Sequence, residues 1–487
     1  MLAERFSTMM RAMLRRQGLL VFLLAYAAFA AVSPQDPGNF QITTRLALSL
    51  SIVQDHTLAI DRYADRTGDK SQWRLHLYAD KPPGQSLLAL PFISVAQLAL
   101  SAARQPTDGL DPVAFKIYNI AATFGVNLLL SALAVVAVFR TAMRLGASRD
   151  AALFGSASLT LATPFLGWTS AFFAHAVDGS LLIIAASIAI AILGDPASRA
   201  AQRPSPWGFL VGLLLGYAPV VELTAAPIAG LGLALFCGLM TRQRGPASLR
   251  IVALVIAGAA IGIAPLLAYN WRAFGSPFHL GYESVMGFDE MKQGFFGITL
   301  PQPGTLYSLI FSLFRGLLPL APILVLVPFG LIGLLRRGRW LVAVLITAVF
   351  ANFYLINAAY HFWEGGWSLG PRHMMACLPF LALALCFAWP QRDEFRLVVL
   401  FALFFGMVAN LIGAVGGMFP PEKYHVPLVE FSLAHLLDPG VATWRLWLEP
   451  VAWLLWGAFW FLPKIASDLK PAATVAHPEL TEIASDG

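Results

Sequence analysis

Apolar runs of roughly 17 to 25 residues, the length that carries a helix across a bilayer, recur along most of this 487-residue chain. They fall near 18–33, 116–139, 151–169, 172–194, 207–222, 224–240, 251–270, 316–335, 340–357, 374–390, 397–417 and 446–462. The pattern predicts an all-α polytopic membrane protein with about twelve transmembrane helices. It forms one integral membrane domain over 1–462, followed by a polar tail over 463–487 that reads as disordered and cytoplasmic. Composition agrees: 58% of residues are hydrophobic and 12% charged, against about 25% charged in soluble domains.

The polar segments between the runs divide into two kinds. Short loops rich in arginine occupy 140–150, 195–206, 241–250, 336–339 and 391–396. The bias of Lys and Arg toward the cytoplasm places these loops inside, together with the N-terminus and the Lys464/Lys470 tail. Segment 18–33 then leads out and 116–139 leads back in. A further apolar stretch, 86–103, must start and finish outside as a juxtamembrane or re-entrant helix. Pro91 within it and Pro82-Pro83 before it suit a broken, shallow element; the alternative is an ordinary span with one loop misassigned. Arg5, Arg11, Arg15 and Arg16 before the run from Gly18 to Val32 resemble a signal peptide. Ser33-Pro34-Gln35-Asp36 lacks the small-x-small cleavage pattern, so the run reads as a retained first span.

The outer segments are 34–115, 170–174, 222–224, 271–315, 358–373 and 418–445. Eight of the nine histidines lie in or beside them. The polar chemistry is therefore gathered on one side of the membrane. The net charge of +6 is spread over inner loops rather than along a basic stripe, which argues against a nucleic-acid partner. Cys237, Cys377 and Cys386 sit in apolar runs without disulfide or metal-ligand spacing.

The long first loop, 34–115, concentrates acids and bases beside the first span. From Asn39 to Val53 apolar residues recur near helical spacing, as in an amphipathic helix lying on the bilayer. Asp36-Pro37 just before it is a plausible helix start, and Arg45 lies further along the same helix. An acid and a base at the membrane face suit handling of a proton and a phosphate; the plainer reading of Asp36 is a helix cap. In Asp80-Lys81-Pro82-Pro83-Gly84 the prolines fix φ and remove donors, so Lys81 projects from a stiff platform. Its plainer reading is a snorkelling interfacial lysine.

Further along, His175 and Asp178 are one helical turn apart, and Asp178 lies within an apolar run where an unpaired charge is costly. Interhelical hydrogen bonding is the alternative. Glu222 marks the outer end of its span, as a substrate-orienting carboxylate or the partner of a loop arginine. Asn270-Trp271-Arg272-Ala273-Phe274-Gly275-Ser276-Pro277 reads first as a folded loop, with Arg272 a minor phosphate candidate. In Tyr360-His361-Phe362-Trp363-Glu364-Gly365-Gly366-Trp367-Ser368-Leu369-Gly370-Pro371-Arg372-His373, glycines permit close approach to a ligand. Trp363 and Trp367 offer flat faces for a sugar or isoprenoid. The Arg372 guanidinium matches phosphate oxygens, and His373 stands beside it.

These pieces resemble the lipid-dependent GT-C glycosyltransferases, a group that includes aminoarabinose transferases and protein O-mannosyltransferases. The stretch Asp36-Pro-Gly-Asn-Phe-Gln-Ile-Thr-Thr-Arg45 resembles the acidic opening of that family's first periplasmic loop. Tyr78-Ala79-Asp80-Lys81-Pro82-Pro83-Gly84 resembles its aromatic-x-acid-Lys-Pro segment, and Leu58-Ala59-Ile60-Asp61 is similar to the bacterial group. The Gly-Gly-Trp-Ser-x-Gly-Pro-Arg run ending at Arg372 also recurs there. The resemblance implies a GT-C fold, with the active site on the periplasmic face of a bacterial inner membrane. It implies a catalytic role for Asp36, a second acidic or histidine residue at Asp178 or His175, and donor-phosphate contacts from Lys81. One departure is that Asp36 is followed by Pro37-Gly38 rather than a second acid. A bound divalent metal wants two or more carboxylates, so a metal-free mechanism without cofactor is expected.

The resulting expectation is a hexosyl- or pentosyltransferase that moves a monosaccharide from a polyprenyl-phosphate donor to an acceptor hydroxyl, with inversion. The acceptor is an envelope glycolipid, glycan or protein. Asp36, with His175 and Asp178, is expected at the acceptor side. Lys81, Arg45 and Arg372 are expected on the donor phosphate, and Asp80, Glu222, Trp363, Trp367 and His373 along the substrate. The rival reading is a transporter or flippase of a lipid-linked sugar, which would favour midplane sites and paired repeats; no repeat is seen. A structural subunit would leave the Asp36, Lys81 and Arg372 set unexplained.

Overall fold

A computed structural model describes residues 2–33, 38–194, 199–390, 392–438 and 445–468. Helix α1 (Leu2–Val32) is followed by α2 (Phe40–Gln54), a short hairpin of β1 (Lys70–Trp73) and β2 (His76–Ala79), and α3 (Gly84–Ala102). Then come α4 (Pro112–Ala122), α5 (Leu129–Arg144), α6 (Arg149–Leu161), α7 (Phe165–Thr169), α8 (Ala174–Gly194), α9 (Arg199–Gln202) and α10 (Pro204–Val221). The second half holds α11 (Ala226–Arg244), α12 (Leu249–Phe274), α13 (Pro303–Phe311), α14 (Leu317–Leu320), α15 (Val327–Arg336) and α16 (Trp340–Ala359). It closes with α17 (Leu378–Leu385), α18 (Asp393–Gly416), α19 (Ala434–Leu436) and α20 (Arg445–Asp468).

Among the described residues, seven helical stretches are long and apolar enough to cross a membrane, and four shorter apolar helices accompany them. Several expected spans are interrupted. The run 151–169 is α6 and α7, parted near Pro164, and 316–335 is α14, a 3-10 turn and α15. The run 374–390 starts as a 3-10 turn, Arg372–Cys377, before α17.

Helices α10 and α12 pack closely, and the cause is in the sequence. Gly208, Gly212 and Gly216 recur every four residues on α10, facing Gly258 and Gly262 on α12. A Cβ on Gly212 would stand 1.9 Å from the Val255 carbonyl oxygen, and one on Gly258 2.2 Å from that of Phe209. Small residues one turn apart let two backbones touch where lipid supplies no hydrophobic drive.

The long segment after the first helix departs from expectation at α2. Asn39 caps it, its Oδ1 accepting from Gln41 N at 2.9 Å, so an Asx cap displaces Asp36-Pro37 as the start. Residues 42 through 51 are all buried. The helix is thus covered by protein on every side over most of its length, rather than floating with one face in lipid. Nor does Pro91 break α3, which runs continuously through it. By length and composition α3 is one of the seven candidates.

Both ends of α3 are held by polar contacts. At its start Tyr217 Oη donates to Gly84 O at 2.8 Å. Just beyond its end Gln54 Nε2 donates to Thr107 O at 2.7 Å, and Arg62 bridges Asp55 and Asp108 at 2.8 Å. Ile60 N then donates to Leu77 O, joining that cluster to β2 and the start of α3.

Candidate active site

The hairpin aims Lys81. Strands β1 and β2 pair antiparallel, Lys70 opposite Ala79 and Trp73 opposite His76, and deliver the chain into Asp80-Lys81-Pro82-Pro83-Gly84. Gly84 closes that turn against the end of α10, where a Cβ would lie 2.4 Å from Val220 O; only glycine fits. Lys81 Nζ reaches Asp80 Oδ2 at 2.5 Å and Asp69 Oδ2 at 3.4 Å, and lies 5.5 Å from the centroid of the Tyr282 ring. Burial alone would lower the lysine, but Asp69 and Asp80 outweigh it and hold the ammonium above its ordinary range. Burial pushes the Asp80 carboxyl up to about 6, against the pull of Lys81. Asp80, read from sequence as a substrate contact, is thus foremost the partner of Lys81. Asp69 carried no pattern that singled it out; its role exists only once the hairpin folds.

Glu222 is the hub of a second cluster. It sits in extended conformation between α10 and the following 3-10 turn. Its Oε2 lies 3.5 Å from Arg45 Nη2 on α2 and 3.7 Å from His175 Nδ1 at the start of α8. Arg45 also donates to Gln41 O and Oε1. Ring centroids of His175 and His373 are 4.9 Å apart, edge to face. Asp178 is fully buried, and neither of its carboxylate oxygens has a hydrogen-bond partner among the described residues. Glu222 lies within electrostatic reach of Lys81 and Arg372 as well as Arg45.

The loop after α16 brings Arg372. Gly365 and Gly366 adopt φ of 76° and 60°, and a Cβ on Gly365 would press 3.0 Å from the Arg372 side chain. Arg315, which no sequence signal flagged, fastens this turn: its Nε donates to Glu364 O at 2.9 Å and its Nη2 to Gly366 O at 3.0 Å. Arg372 stands 5.6 Å from the Phe173 ring centroid, within electrostatic reach of Asp69, Tyr360, Arg45 and Glu222.

A buried relay joins the Lys81 turn to the His175 segment. Gln85 Nε2 donates to Asn127 Oδ1 at 2.8 Å, and Asn127 Nδ2 donates to Ala171 O and Phe173 O at 2.7 and 2.8 Å. Asn127 lies in a π-helical turn, Thr123–Leu128, a distortion frequent at functional sites.

What the cluster leaves over is informative. Buried polar atoms without partners among the described residues include both oxygens of Asp178, Arg45 Nε, Arg372 Nε, His175 Nε2, His373 Nε2, Asp80 Oδ1 and both amide atoms of Asn357. Buried polar groups are ordinarily satisfied, and several of these atoms belong to residues grouped electrostatically around Glu222 and Lys81. No group of three or more His, Cys, Asp or Glu among the described residues is arranged to hold a metal ion.

Asp36 lies outside the described residues. Trp363 packs edge to face on Phe314, and Trp367 is 55% exposed. Arg272 is exposed at the end of α12.

No family model and no curated protein matches the sequence. Solved structures do. ArnT from Cupriavidus metallidurans bound to undecaprenyl phosphate has a TM-score of 0.52 at 15% identity, covering 93% of this chain and 80% of that one. The oligosaccharyltransferase of Archaeoglobus fulgidus in the apo form gives 0.46 at 11% identity, over 81% of this chain and 55% of that one. ArnT is a GT-C glycosyltransferase. The chain has that fold, in accord with the first-loop motifs.

Proposed function

We propose that this protein is a GT-C glycosyltransferase that moves a monosaccharide from a polyprenyl-phosphate donor to an acceptor hydroxyl at the outer membrane face. The observation that carries the reading is the meeting of Lys81, Arg45 and Arg372 with Asp178 and Glu222 around unpartnered buried polar atoms. The fold supports it, since ArnT is seen with a lipid phosphate.

Lys81 and Arg372 take the donor phosphate and stabilise its charge as the bond from phosphate oxygen to the anomeric carbon breaks. Arg45, engaged by Glu222, contributes from the second rank and fixes the acid hub. The acceptor oxygen attacks the anomeric carbon from the opposite face, which inverts it, and its proton passes to a carboxylate. Asp36 is assigned that proton, with Asp178 and His175 lining the acceptor side. Neither step calls for a metal.

The same reading lays α2 and α3 along the outer membrane face. Were they vertical, the charged stretch Asp61–Arg66 would run along α2 inside hydrocarbon, where each charge costs about 2.5–3.5 kcal/mol or more. Both termini then lie in the cytoplasm of a bacterial cell.

The test is lipid and glycan profiling of cells lacking the protein, complemented with wild type or with Asp178→Asn and Lys81→Ala. A glycan lost in the deletion, restored by wild type and not by properly inserted variants is the expected result. Identical profiles in all strains would overturn the proposal.

A further inference from the structure

Helices α8, α10, α11 and α16 leave between them an apolar cavity of about 300 Å³, within the size range of ligand pockets. Leu182, Ala186 and Phe236 line its interior, and Gln243, Arg339 and Trp340 bound one end. That end is far from Lys81. Helix α8 starts beside the candidate site at His175 and finishes at Gly194, which also lines the cavity. At 1.5 Å per residue its length is about 30 Å, one hydrocarbon thickness, so the mouth opens at the opposite membrane face.

The mouth is basic. Arg242 and Arg244 flank Gln243, and Arg336 and Arg337 precede Arg339. Arg244 and Arg337 donate to backbone carbonyls, while Arg339 and Trp340 are exposed. No acid occurs between Glu222 and Glu283, or between Glu290 and Glu364; Asp195, next to Gly194 in the sequence, is the one acid adjoining a lining residue, against arginines at 242, 244, 336, 337 and 339. An apolar slot with an arginine rim at the bilayer surface is complementary to an amphiphile with an anionic head, as in basic pockets between transmembrane helices.

We propose that this cavity binds an anionic phospholipid of the leaflet opposite the candidate active site. One acyl chain enters between α8, α11 and α16, and the phosphate meets Arg339. This lipid is distinct from the proposed donor, whose phosphate belongs beside Lys81 on the other face.

The test uses the full-length protein purified in mild detergent, with retained lipids identified by mass spectrometry against the bulk membrane. Anionic phospholipid should be enriched. Arg339→Ala, in an exposed turn, should cut the enrichment about fivefold, the worth of one surface arginine. Ala186→Trp should abolish it by filling the slot while leaving the rim intact; if that variant does not fold, Arg339→Ala decides alone. Bulk composition in the wild type, or enrichment unchanged by Arg339→Ala, overturns the proposal. So does a retained polyprenyl phosphate that Ala186→Trp removes. Because the readout is bound lipid rather than sugar transfer, its failure leaves the transferase reading where it stands.

Discussion

Gln85 and Asn127 share a fully buried hydrogen bond of 2.8 Å that couples the turn carrying Lys81 to the segment carrying His175. Replacing either by leucine strands the other's amide, at a cost of about 1–3 kcal/mol. The double variant should lose less than the sum of the singles, because it leaves no orphan in that bond. Thermal unfolding of the four proteins in one detergent measures the coupling; strict additivity would show that the bond holds nothing together.

The Lys81 turn carries a pH dependence of defined sign. The Asp80 carboxyl is raised from 3.8 to about 6, so between those values the folded protein holds a proton the unfolded chain has lost. Stability from this group therefore declines as pH rises from about 4 to about 6. For binding, ionised Asp80 competes with the donor phosphate for Lys81. The KM for donor should rise as pH increases through about 6, and Asp80→Asn should flatten the profile. A KM that falls over the same interval in the wild type would contradict the assignment.

How far the sequence reveals this site depends on whether a residue acts through its neighbours in the chain. Lys81 is legible because Pro82, Pro83 and Gly84 travel with it, and Arg372 because its glycine-rich turn does. Asp69 acts through Lys81 only across the folded hairpin, and Asn127 and Arg315 act through partners far along the chain, at Phe173 and Gly366; nothing local marks them. The apolar runs locate most helices, yet the periodicity of α2 is too short to tell a lipid-facing stripe from one covered by protein. The Gly208, Gly212 and Gly216 spacing was a readable signal for the α10–α12 contact.

Glu222 should behave as a positioning residue. Glu222→Gln leaves Arg45, only 1% exposed, without its counter-charge, and breaking a buried pair costs about 3–5 kcal/mol. Glu222→Gln combined with Arg45→Met should recover much of the stability but little of the transfer activity, if Arg45 serves the donor phosphate. Recovery of both would make the pair purely structural. Unfolding temperature and donor turnover, measured side by side, separate the two.

The α10–α12 seam gives a prediction independent of chemistry. Gly212→Leu must push the helices apart, since even a Cβ collides with the Val255 carbonyl. Gly230, on α11 with open space around it, provides the control. Gly212→Leu should lower detergent stability sharply and Gly230→Leu little. Equal effects would deny that the close contact matters.

The placement of α3 is open to chemical labelling. Lying along the outer face, it leaves Gln105 on the same side as Leu75, whose side chain is 93% exposed at the hairpin tip. Crossing, it would carry Gln105 to the opposite side, with the 140–150 loop. Single cysteines at 75, 105 and 146, introduced after replacing Cys237, Cys377 and Cys386, distinguish these geometries in intact cells. An impermeant thiol reagent should label positions 75 and 105 alike and spare 146. The three native cysteines are free, so no disulfide is sacrificed by their replacement. Labelling at 75 with protection at 105 would turn α3 into a span. The Gln54–Thr107 and Arg62–Asp108 contacts tie the end of α2 to the segment after α3, so the two would then lie on the opposite face together.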